Sequence, residues 1–374
     1  MAEAAREGRA GLRNVVVGES AISTIDGLRG VLSYRGIDIH ELAEHSTFEE
    51  TAWLLHEGTL PSRRDLEAYT ADLARERPVP AAVVDLLRGL KGAHPMASLR
   101  TAVSALGALE SGGGDEARPV DAARRLIAQT ATLTAAIERV RTGLEPIPPD
   151  PSLGHAANFL YMLTGSPPGA ERARAMDLAL VLHADHEFNA STFAARVAAS
   201  TLADVHGAVT AALATLKGPL HGGANEAVMR SLESIGSVEA TEAHVRETLA
   251  AKKKLMGFGH AVYKTEDPRA THLRRISRRL AEAAGDTRWF TMSERMEEVV
   301  RREKGLYPNV DFYSASAYRV LGIATDLFTP VFAVSRIAGW TAHVLEQLAN
   351  NRLIRPESDY IGPRNVRYVP LSER

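Results

Sequence analysis

A chain of 374 residues exceeds the roughly 250–300 at which single cores stop growing, so two domains are expected. Hydrophobic content of 45% and charge of 24% are those of an ordinary globular protein, and no stretch approaches the ~18–20 unbroken apolar residues of a membrane helix. A net charge of −2 argues against a general binder of nucleic acid or anionic membrane, and the absence of cysteine excludes disulfides and thiolate metal sites.

Met1 to Glu7 offers no apolar core for a secretory signal, so a cytoplasmic location is expected. Val15–Val17 and Val31–Tyr34 are β-type runs separated by the Gly27 and Gly30 turn signals, giving a small N-terminal β element. From Ser46 the pattern turns helical, with a Ser-x-x-Glu capping box at Ser46–Glu49 and Gly58 as a stop. Leu66–Leu73 continues helical until Pro78 and Pro80, and Pro95 opens a further helix before Gly112–Gly114. Alanine-rich helical faces recur at Val120–Arg141, Gly154–Thr164 and Arg172–His186, and Ala190–Leu216 reads as one long helix. After Asp311, Phe312–Val320 and Pro330–Leu348 are helical, and the proline-punctuated tail beyond Arg355 is expected to run over the surface or onto another subunit. The class is all-α with a minor β element.

Three short motifs between Lys217 and Asp311 each set an ionisable side chain in or beside a turn. His221 lies among Gly218, Pro219, Gly222 and Gly223 just before a helical run, where the positive helix end favours a neutral imidazole able to donate to an oxyanion. The same position equally suits a histidine that only caps a turn. His260 follows Gly257-Phe258-Gly259, and Asp267-Pro268 starts a helix that sets Arg269 at its N-terminus, either a carboxylate site or a surface arginine. Asp311 follows Pro308-Asn309-Val310 and is either a base with a raised pKa or the cap of the next helix.

His183 and His186 are three apart, which on one helical face suggests a metal pair and a metal-dependent hydrolase as the competing reading. A third ligand is not evident there. Arg336 stands alone in an apolar helix and Arg355 precedes Pro356; a lone arginine in such a setting needs a carboxylate or a bound anion. Two histidines and three arginines suit a small dicarboxylate or keto-diacid. A non-catalytic helical scaffold is a third reading, and the complete set of candidate catalytic groups weighs against it.

At these residues the chain resembles the citrate synthase family. The likeness runs through Gly30–Gly36, His183–Asn189, the three motifs, Phe328–Arg336 and Arg355-Pro356. It resembles the shorter bacterial and archaeal type. The resemblance implies a two-domain helical homodimer that condenses acetyl-CoA with oxaloacetate in the tricarboxylic acid cycle, without metal or permanent cofactor. It implies residues 1–217 and 325–374 as a large domain and 218–324 as a small domain closing over the substrates. On matched positions, Asp311 would take the methyl proton, His221 would stabilise the enol and His260 would polarise the keto carbonyl. His186, Arg269 and Arg336 would hold oxaloacetate, Arg355 would cross the dimer, and Lys264 and Lys304 would meet CoA. 2-Methylcitrate synthase, which uses propionyl-CoA, shares these motifs, and one methylene discriminates by only ~1–3 kcal/mol.

Overall fold

The computed structural model describes residues 12, 15–110 and 118–374. The Phe328–Ala349 helix is apolar almost all round from Phe328 to Val344, which a helix tolerates only at the centre of a core. Trp340, Val334 and Ile337 are fully buried on it. Around it pack the helices Phe48–Glu57, Pro119–Arg141, Ala170–His183, Ala190–Ser200 and Val205–Leu216. Alanines on these facing surfaces, among them Ala128, Ala179, Ala195 and Ala212, let the axes approach closely.

The helices within 218–324 pack mainly on one another: Pro268–Ala284 and Ala224–Ile235 against Val310–Val320, and Val238–Ala250 against Arg288–Lys304. The remaining β element is an antiparallel sheet of β1 (Ser23–Asp26), β2 (Val31–Tyr34) and β3 (Ile37–Asp38), with Ser23 opposite Tyr34 and Ser33 opposite Asp38. Tyr34 is fully buried, and its hydroxyl accepts the Asp185 N–H at 3.1 Å, tying β2 to the turn that carries His186.

Several local expectations need correction. Val15–Val17 forms no strand; Val16 is 88% exposed, and the run pairs with no strand among the described residues. Ser46 closes an earlier helix, Ile39–His45, and the cap of Phe48–Glu57 is Thr47, whose hydroxyl accepts from Glu50 N. Glu49 is instead buried, and its carboxylate accepts from His155 N at 2.7 Å. The 190–216 stretch is two helices, because Leu202 adopts φ +65° and Asp204 recaps the chain. The helix before the site ends at His183, so His183 and His186 do not share a helical face.

Candidate active site

Backbone pairing explains why the second and third motifs meet. Phe258 and Pro308 form an antiparallel bridge, Asn309 N donates to Gly257 O at 2.9 Å, Gly259 N donates to Tyr307 O at 2.9 Å, and the Asn309 amide donates to Gly259 O. Gly257 has φ +81°, and a side chain there would strike Val228 and Phe312, so only glycine fits. Asn309 caps the Val310–Val320 helix, leaving Asp311 in its first turn with a side chain free of capping duty. Asp267 caps Pro268–Ala284 and also accepts from Val310 N at 3.1 Å, so one buried carboxylate binds the Arg269 and Asp311 segments together.

His186, His221, His260, Arg269, Asp311 and Arg336 converge on one cleft of about 540 Å³. Met256, Phe258 and Phe332 line its apolar part, and Lys254 stands at its edge. The His186 and His260 rings lie 5.2 Å apart, edge to face. His183 does not join them: its Nδ1 hydrogen-bonds Ala179 O and the ring stays in the core. Among the described residues no three histidine, aspartate or glutamate side chains cluster as metal ligands would.

The hydrogen bonds assign the proton on His260 and on His221. His260 Nδ1 accepts from the backbone N–H groups of Val262 (3.0 Å) and Tyr263 (3.2 Å), so the proton of the neutral ring is on Nε2. His221 Nε2 accepts from Ser191 N at 3.3 Å and lies 2.8 Å from Ser191 Oγ, so its proton is on Nδ1. Trp340 Nε1 donates to that hydroxyl at 3.0 Å and orients it. Burial, with Arg269 beside His260 and Arg336 beside His221, lowers both imidazoles to about 4. Each is therefore a neutral donor at physiological pH. Burial holds His186 well below its ordinary range too, and its Nε2 lies 3.2 Å from the Tyr263 hydroxyl.

Burial raises Asp311 from 3.8 to about 6 against the pull of Arg269, which puts its proton affinity where a general base works. The arginines divide differently from the sequence expectation. Arg269 gives Nε and Nη2 to Asp267 at 2.9 and 2.8 Å, which leaves it one free edge rather than a fork. Arg336 spends only Nε, on His183 O at 2.7 Å, and stacks over Phe332, so its two terminal amines remain for a ligand. Burial lowers Arg336 to about 10, the mark of a desolvated cation with incomplete compensation.

Three expected residues lie elsewhere. Lys264 is exposed and lines an adjoining pocket of about 260 Å³ with His260 and Tyr307. Lys304 ends the Arg288–Lys304 helix, exposed and away from the cleft, and Arg355 sits exposed on the extended tail. Tyr263 and Ser191 were not singled out in the sequence, although Tyr263 follows His260 by three residues and Ser191 lies two beyond the His183–Asn189 stretch; a partner for each histidine was the signal available.

The model of the family "Citrate synthase, C-terminal domain" matches residues 11–357. "Citrate synthase 2" of Bacillus subtilis is 50% identical over 369 residues, covering 97% of this chain and 98% of the relative. A "2-methylcitrate synthase" from Shewanella oneidensis is 42% identical over the whole of both chains. Citrate synthase from Pyrobaculum aerophilum superposes with a TM-score of 0.90 at 43% identity, covering 98% of this chain and 95% of that one. The Thermoplasma acidophilum citrate synthase, solved with carboxymethyl coenzyme A and oxaloacetate, also gives 0.90, at 34% identity and 98% and 99% coverage.

Proposed function

The chain belongs to the citrate synthase family and is an acyltransferase of that kind, and from that premise we propose that its cleft joins the methyl carbon of acetyl-CoA to the keto carbon of oxaloacetate. One observation carries the reading: a carboxylate raised to about 6 faces the same cleft as two neutral histidines with donors at known nitrogens.

Asp311 takes a proton from the acetyl methyl group, and the Nδ1–H of His221 donates to the thioester oxygen as it gains enolate charge. The enol carbon then bonds to the keto carbon of oxaloacetate, whose C=O π electrons move onto the oxygen; that oxygen takes the Nε2 proton of His260 and stays on the product as its hydroxyl, giving citryl-CoA. Water hydrolyses the resulting thioester, releasing citrate and CoA. Arg336 grips one oxaloacetate carboxylate through its two terminal amines, with the free edge of Arg269 and the ring of His186 alongside. No step calls for a metal.

Arg355 from the other subunit of a homodimer adds a third arginine to the oxaloacetate site; it is exposed and does not line its own cleft. Lys264, beside His260, meets CoA phosphate, and Lys304 adds distant positive charge. Residues 218–324 form a small domain that closes on the large one, excluding water that would waste the enol. Gly322, in the left-handed region at φ +79°, lies two residues before the end of that segment and is a natural hinge. We assign the reaction to the tricarboxylic acid cycle in the cytoplasm. No helix among the described residues is long and apolar enough to cross a membrane.

The stronger likeness to citrate synthases favours acetyl-CoA over propionyl-CoA. Comparing kcat/KM for the two thioesters with oxaloacetate tests this: a higher value for propionyl-CoA would reassign the substrate. Scattering that shows no compaction on adding oxaloacetate would remove domain closure.

A further inference from the structure

The N-terminal β-hairpin is bound to both histidine loops at once, at its strand on one side and at its turn on the other. Along β1, Ser23 Oγ donates to Asp185 Oδ2 at 2.5 Å and accepts from Glu187 N at 2.9 Å, and Ile25 N donates to Glu187 Oε1 at 2.7 Å. These bonds bracket His186. They also hold Glu187 in the left-handed region at φ +50°, a conformation a non-glycine residue adopts only when its surroundings impose it.

At the other end, Gly27 O accepts from Lys264 N at 2.8 Å. A Cβ on Gly27 would overlap the Val262 carbonyl oxygen and lie 2.9 Å from its carbon and 3.0 Å from its Cγ1. Gly30, at φ +68°, is as close: a Cβ would be 2.8 Å from Thr265 Cγ2 and 2.9 Å from Glu266 O. Val262 is the residue whose N–H donates to His260 Nδ1. The turn is kept in shape by Asp26 Oδ1, which accepts from Leu28 N and Arg29 N. A second link, His40 Nδ1 to His272 Nε2 at 2.7 Å, joins the helix after β3 to Pro268–Ala284.

We propose that the Ser23–Tyr34 hairpin is a strap setting the distance between His186 and His260, with Gly27 as a positioning residue for the condensation. This rests on the function proposed above. Without a side chain, Gly27 lets its carbonyl reach the Lys264 amide and lets the Val262–Lys264 segment seat against the turn. Any larger residue pushes the His260 loop outward while leaving His186 where β1 holds it. The two histidines then no longer fit one keto-diacid together.

The test is Gly27→Ala, with Gly36→Ala as its control. Gly36 lies in the β2–β3 turn at φ +84° with open space around it, so alanine there strains the hairpin without touching the His260 loop. A displacement of about 1 Å costs on the order of 100-fold in kcat/KM. Gly27→Ala is expected to lose about that much, chiefly through a raised oxaloacetate KM, whereas Gly36→Ala lowers the melting temperature and leaves that KM within about twofold. Equal KM values in Gly27→Ala and wild type, or an equal rise in Gly36→Ala, would overturn the strap. Hydrogen exchange on the wild-type chain gives an answer even if Gly27→Ala does not fold: the Lys264 amide is expected to be protected, and free exchange there would also overturn it. If wild type forms no citrate in the same assay, the functional reading fails by itself, and the exchange result still judges the strap.

Discussion

Replacing Asp311 by asparagine is expected to remove the activity and raise the melting temperature in the same variant. Burial lifts this carboxyl from 3.8 to about 6, which corresponds to about 3 kcal/mol at roughly 1.4 kcal/mol per tenfold. The sign follows from linkage. A carboxyl whose folded pKa is raised favours the fold while protonated, below about pH 3.8, and loses that contribution as pH climbs through about 6. At neutral pH the ionised carboxylate therefore costs up to about 3 kcal/mol, and a neutral carboxamide of the same shape relieves most of it. A gain of a few degrees follows for a protein of this size, shrinking as pH drops below 6. Turnover should fall by about 10²–10⁴ when the base is lost. Calorimetry from pH 5 to 8 and CoA release with oxaloacetate and acetyl-CoA measure both. A variant with near-wild-type turnover, or one less stable at pH 7.5, would refute the assignment of Asp311 as a half-buried base.

The wild-type kcat/KM should show an acid limb near pH 6, falling tenfold per unit as Asp311 is protonated; an unchanged rate down to pH 5 would contradict its raised pKa. His221 and His260 stay neutral to about pH 4, so neither should add a limb near 6.5. Tyr263→Phe should raise the oxaloacetate KM several-fold by freeing His186 Nε2, and should add nothing in a His186→Ala background; additive losses would mean that the hydroxyl acts elsewhere. Arg336→Leu should raise the same KM on the order of 100-fold, since it removes a buried cation aimed at an anion, and should stabilise the apo protein; an unaffected KM would reassign the carboxylate grip to Arg269. If Arg355 crosses the dimer, mixing inactive Arg355→Ala and inactive Asp311→Asn subunits should restore part of the activity, and mixtures that stay dead would refute the crossing.

Most helices were legible because their ends carry local chemistry. Gly58 at φ +84°, Pro95, and the Asp267-Pro268 pair terminate or start helices where the sequence says they should. The failures share a cause: tertiary partners overrode the local signal. Val15–Val17 has strand composition but pairs with no strand among the described residues, and Glu49 left its capping role for His155 N. The three candidate turns were readable as glycine-rich punctuation around ionisable residues. Their convergence was not, because it depends on the Phe258–Pro308 bridge and on Asp267 reaching Val310 across 43 positions. Nor could spacing reveal that Asp267 occupies most of the Arg269 guanidinium, whereas Arg336 engages only Nε and keeps both terminal amines.

In the proposed reaction the Lys217–Asp311 turns deprotonate a methyl group and direct it to a carbon–carbon bond. Incubating the enzyme with oxaloacetate and acetyl-CoA bearing a trideuterated methyl group, then weighing the product, tests it most directly. Citrate should form one-to-one with released CoA and carry two of the three deuterons, and Asp311→Asn should give no citrate. CoA released without citrate, or a product retaining all three deuterons, would contradict it.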